Sequence, residues 1–158
     1  MNPAPSRYDL PSDVRCVFIS GLVAGTVDIG AAALIYRINP LVVMRAIATG
    51  LQGAAAFKGG MGSSALGLGL QWAMSIVIAG IYLLAVRWIP RFRHSWVQGG
   101  ILAGIIIFVV MNYVVVPLSA VGKIPRFSTL SFMENLAAMI LFGLILAYFF
   151  RSRTKLPI

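Results

Sequence analysis

Four long apolar runs govern what this chain can become: about Cys16 to Tyr36, Ser64 to Val86, Val97 to Val116 and Phe132 to Phe150. Each matches the ~20 residues that an α-helix needs to cross ~30 Å of hydrocarbon. The expected fold is all-α: an integral membrane four-helix bundle, with residues 1–158 forming a single transmembrane domain. Composition agrees, since 59% of the residues are hydrophobic and only 11% are charged, against about 25% charge in soluble domains. The proline-rich MNPAPSRYDLPSDVR reads as a polar tail before the first helix. Ala31-Ala32-Ala33 resembles a signal-peptidase site, but the apolar run before it is long and holds Asp28, so the first helix is expected to be a retained span.

Punctuation fits helices at these places. Ser12 and Asp13 can cap the first and Ser63 or Ser64 the second; Pro117 can end the third, and Arg151 and Arg153 close the fourth. Trp72, Trp88, Trp96, Tyr36 and Tyr148 fall mostly near span ends, as interfacial aromatics do.

Between the first two runs lies NPLVVMRAIATGLQGAAAFKGGMG. Asn39-Pro40 reads as an N-cap followed by proline at the first helical position. Leu41, Met44, Ala48, Leu51 and Ala55 then fall on one face, and Arg45, Thr49 and Gln52 on the other. The expectation is an amphipathic in-plane or re-entrant helix over about 40–57. A fifth crossing competes with it, but Arg45 near its middle would cost about 2.5–3.5 kcal/mol. Gly59-Gly60-Met61-Gly62 lacks the GK[ST] ending of a phosphate loop and reads as a turn.

With four crossings, Arg7, Arg15, Arg87, Arg91, Arg93, Arg151, Arg153 and Lys155 share one side; Arg37, Arg45, Lys58, Lys123 and Arg126 share the other. The excess of basic residues on the first side predicts cytoplasmic N- and C-termini. The net charge of +9 lies beside apolar runs, which points to a lipid bilayer with anionic headgroups as partner and away from nucleic acid. Gly21-Leu22-Val23-Ala24-Gly25 and Gly100-Ile101-Leu102-Ala103-Gly104 echo one another, as two related helical hairpins would.

Asp28 is the candidate functional residue. Gly21, Gly25, Asp28 and Ala32 are spaced i, i+4, i+7 and i+11, a single helical stripe of small residues that lets another helix approach. Gly100 and Gly104 suggest a second packing face. An ionised aspartate at that depth costs several kcal/mol unless paired or hydrated, so Asp28 is expected to face protein. Arg45, Asn112, Gln71 and Ser75 are its candidate partners, forming with it an intramembrane polar site. Asp28 then serves either as a proton- or cation-binding group or as a contact that pins helix register.

Ser131 and Glu134 form an S-x-x-E pattern, which reads as a capping box. His94, in Arg91-Phe92-Arg93-His94, reads as a solvated loop residue, and Cys16 as a buried or interfacial thiol. One cysteine and one histidine give no zinc or haem cluster, and H-E-x-x-H and G-x-S-x-G are absent. No metal, no cofactor and no enzyme activity are therefore expected.

GLVAGTVDIGAAALIY, AFKGG, LGLQWAMSIVIAGIY and MNYVVVPLSA together resemble a group of small bacterial inner-membrane proteins of uncharacterised role, over about Gly21 to Ala120. A more distant similarity is to the YagU-like family, which is associated with acid resistance. The resemblance implies a multi-pass bacterial inner-membrane protein and adds no substrate. The expected role is helix-packing assembly, scaffold or stress-related work, with a homo-oligomer or membrane-complex partner formed through glycine faces; the alternative is a small proton- or cation-linked transporter or channel using Asp28.

Overall fold

The computed structural model describes residues 10–89 and 95–154, with side chains from Ser12 to Arg151 in those ranges. Arg7, Arg91, Arg93, Lys155 and the Arg153 side chain, which entered the charge count above, lie outside the described residues, as does His94, read above as a loop residue. The described chain is helical: α1 (Leu10–Tyr36), α2 (Pro40–Gln52, prolonged by a 3-10 turn, Gly53–Lys58), α3 (Gly60–Trp88), α4 (Trp96–Leu118) and α5 (Thr129–Thr154).

Five helices among the described residues are long and apolar enough to cross a membrane, a composition compatible with a multi-pass membrane protein. That count does not fit the expected four. The difference is Pro40–Lys58, which reaches 19 residues because the 3-10 turn extends α2.

The long helices pack antiparallel. From one end of the α1/α3 pair to the other, Asp13 meets Arg87, Gly21 meets Ile76, Gly25 meets Ser75 and Asp28 meets Gln71. α5 also runs against α1, with Cys16 Sγ donating to the Phe149 carbonyl (3.4 Å) and Tyr36 Oη donating to Asn135 Oδ1 (3.2 Å). α4 runs against α5 through Gly100, Gly104 and Gly143. Because α1 ends where its antiparallel partner α3 begins, α2 leaves from and returns to the same end of that pair.

Lipid gives apolar side chains no hydrophobic incentive to associate, so close backbone approach must hold such helices together. A Cβ on Gly104 would stand 2.5 Å from Ile140 Cα, and one on Gly21 2.7 Å from Ile76 Cα. Gly21, Gly25, Gly100 and Gly104 thus face backbone and side-chain atoms of the chain's own neighbouring helices at close range.

The caps correct several expectations. Asn39 Oδ1 accepts the Leu41 amide at 2.9 Å with Pro40 at the first helical position, as anticipated. Ser12 and Asp13, by contrast, sit inside α1, which starts at Leu10. Ser63 and Ser64 lie inside α3, whose N-cap is Gly59. The S-x-x-E box does not form either: Ser128 Oγ accepts the Ser131 amide at 3.2 Å, so the cap falls three residues earlier and Ser131 and Glu134 lie within α5. Pro117 does not end α4 but distorts it. Having no N–H and a ring that crowds the preceding turn, it is preceded by a π-helical stretch, Met111–Val115. Trp72 lies well inside α3, away from either end, where its Nε1 donates to Thr26 Oγ1 at 3.1 Å.

α1 closes in a Schellman turn, with the Ile38 amide bonded to the Ala33 carbonyl (3.1 Å) and the Arg37 amide to that of Leu34 (3.3 Å). Arg37 occupies the left-handed position at φ 52°. The core lies toward the Asp13 end, where Ala24, Ala79, Leu146, Ala147 and Phe150 are fully buried.

Candidate polar site in the helix bundle

Asp28 is placed by the small-residue stripe of α1. Glycines at 21 and 25 let α3 approach so closely that Ser75 Oγ occupies the space a Cβ on Gly25 would need, 2.6 Å from it. On α3, Ser64, Gly67, Gln71, Ser75, Ala79, Tyr82 and Val86 are all buried and recur every three or four residues, as one helix face does. The face of α3 turned toward α1 and α2 is thus unusually polar for a membrane-type helix.

At the crossing, Gln71 Nε2 donates to Asp28 Oδ2 at 2.7 Å. Beside the pair lies a cavity of about 30 Å³ bounded by Asp28, Gln71 and Ser75 together with apolar side chains, among them Met74, Ile107, Met111 and Met139. All four long helices contribute to it. A volume of this size with three polar groups on its wall suits a single water molecule.

Of the expected partners, only Gln71 bonds to Asp28. Arg45 Nε instead donates to the Gly60 carbonyl and to Ser64 Oγ, each at 3.2 Å. Its side chain fastens α2 to the start of α3. Asn112 Nδ2 donates to the Phe108 carbonyl one turn back (2.9 Å), where α-helical winding gives way to π. Neither reaches across to Asp28. Ser75 shares the cavity, and Glu134 is partly buried near the opposite end of the bundle from Arg87.

Two polar clusters were not anticipated. Asp13 accepts from Arg87 at one end of the α1/α3 interface, with Asp13 nearly enclosed. At the other, Ser63 Oγ donates to Gln52 Oε1 (2.7 Å) and Ser64 Oγ to the Leu41 carbonyl (3.2 Å). The i, i+4 recurrence of Gln71 and Ser75, with Ser64 seven residues before, is the signal in the sequence for this stripe.

α2 presents its two sides otherwise than its amphipathic pattern suggested. Leu41, Met44, Arg45 and Gln52 engage α3, and a Cβ on Gly67 would fall on the Met44 carbonyl. Val43, Ala46, Ile47 and Gly50 instead wall a groove of about 900 Å³, closed on other sides by the end of α1, by α3 and by the π stretch of α4. Gln71, Met74 and Met111 line both the groove and the small cavity. Toward the Asp13 end, Ala24, Ala79, Phe142, Leu146 and Ala147 fill the bundle interior. The small cavity at Asp28 thus borders the groove on one side and tightly packed apolar side chains on the other.

Comparison with protein-family models, curated proteins and solved structures finds no match for the chain.

Proposed function

We propose that the chain is a non-enzymatic membrane protein with four crossings, in which Pro40–Lys58 enters and leaves on one face, and that Asp28 and Gln71 form a register-fixing contact in a bundle serving an assembly, scaffold or stress-related role. The observation that carries it is the 2.7 Å bond between Gln71 Nε2 and Asp28 Oδ2, backed by apolar side chains buried between that pair and the Asp13 end. A polar group inside a membrane bundle needs a partner from another helix, and having one makes a particular register the favoured one. The antiparallel course of α1 and α3 supports the four-crossing count. The membrane proposed is a bacterial inner membrane, and the basic residues that four crossings assign to the side of the termini, counted along the whole sequence, outnumber those on the other side, which supports cytoplasmic termini.

A second reading has one observation in its favour. The cavity beside Asp28 has room for a water molecule and borders the larger groove, as a proton- or cation-binding group would require. Proton and cation flux into proteoliposomes separates the two. No flux above empty vesicles from either wild type or Asp28→Asn is the expected result, together with loss of stability in Asp28→Leu. Wild-type flux that Asp28→Asn abolishes would overturn the scaffold reading in favour of transport.

A further inference from the structure

We propose that the groove beneath α2 is a binding site for one anionic phospholipid, with an acyl chain in the groove and its phosphate at Arg37 and Lys123. This goes beyond the role assigned to Asp28 and does not depend on it. The groove's ~900 Å³ lies within the roughly 300–1,000 Å³ typical of small-molecule sites, which are also mostly apolar with a few polar groups. Val43, Ala46, Ile47, Val115 and Leu118 offer hydrocarbon walls. The site is also preformed. The Ala120 amide donates to the Gly50 carbonyl at 3.0 Å, tying the turn after α4 onto α2, so that little ordering remains to oppose binding.

Charge at the mouth selects the headgroup. Arg37 stands between two groove residues, Tyr36 and Ile38, and Lys123 lies two residues beyond the groove residue Val121; both basic residues are exposed. The turns that carry them are specialised, with Arg37 itself left-handed at φ 52° and Lys123 following Gly122 at φ 62°. Lys58 and Arg126 add positive charge to the same end, where Glu134 is the one acid among the described residues. A phosphodiester among these cations gains charge-assisted contacts that a zwitterionic headgroup offsets with its own ammonium.

The test is native mass spectrometry of the full-length chain released from detergent after incubation with equimolar palmitoyl-oleoyl phosphatidylglycerol and palmitoyl-oleoyl phosphatidylcholine. One phosphatidylglycerol retained per chain, at least tenfold over phosphatidylcholine, is the expected result. Ala46→Trp, which fills the groove, should abolish retention of both lipids. Arg37→Gln combined with Lys123→Gln, at exposed positions outside the core, should keep retention but reduce the preference at least fivefold. Equal retention of the two lipids by wild type overturns the headgroup assignment. Undiminished retention by a folded Ala46→Trp chain shows lipid held elsewhere and overturns the site; should that variant misfold, a preference unchanged in the double glutamine variant does the same.

Discussion

Gln71 on α3 donates to the Asp28 carboxyl on α1 across 2.7 Å, at a level of the bundle where all four long helices meet around a water-sized cavity. Leaving one partner of a buried bond unmatched costs more than removing both, because the remaining group keeps its desolvation penalty. Gln71→Leu should therefore lower stability by about 1–3 kcal/mol. Combining it with Asp28→Leu should recover much of that loss, and Asp28→Asn, which still offers an oxygen to Gln71, should be mild. Thermal unfolding in detergent followed by circular dichroism measures all three; additive losses in the double variant would show that the pair is not a unit.

The glycines divide into two groups with opposite expected behaviour. Gly104 and Gly143 are pressed against backbone atoms of the facing helix, whereas Gly69 and Gly80 have nothing within 4 Å of where a Cβ would stand. Gly104→Ala should force α4 and α5 apart and cost about 1–3 kcal/mol, as overpacking does. Gly69→Ala and Gly80→Ala should be neutral or add up to about 1 kcal/mol from helix propensity. The same unfolding assay compares them.

Cysteine labelling tests the four-crossing proposal directly. In a Cys16→Ala background, Arg37→Cys and Lys58→Cys should react with a membrane-impermeant maleimide from the same face, and Arg15→Cys and Arg151→Cys from the other. Reaction of positions 37 and 58 from opposite faces would mean that Pro40–Lys58 crosses the bilayer.

Arg37 holds a left-handed conformation at the end of α1 that costs a residue with a side chain roughly 1–2 kcal/mol. Arg37→Gly should relieve that strain and raise the unfolding temperature, even as it removes a cation from the groove mouth. A lower unfolding temperature would show that the arginine side chain contributes more to the fold than its backbone strain takes away.

Much of the architecture could be read from the residues alone, because a membrane-type helix is specified by length and hydropathy, which are local properties. The four apolar runs became four long helices, Asn39-Pro40 started α2 where its cap chemistry said it should, and the spacing of Gly21, Gly25 and Asp28 told which side of α1 would be covered. Which side chain would meet Asp28 was another matter. Arg45, Asn112 and Gln71 all carry suitable donors, and only the antiparallel register of α1 against α3 brings Gln71 within reach while Arg45 is held by Gly60 and Ser64 and Asn112 by its own helix. The groove belongs to the tertiary structure as well, since its walls come from four helices and its roof from a single bond between Ala120 and Gly50. Periodicity reports which face of one helix is distinctive; what that face touches is a relation between helices, fixed by close backbone packing that no single segment encodes.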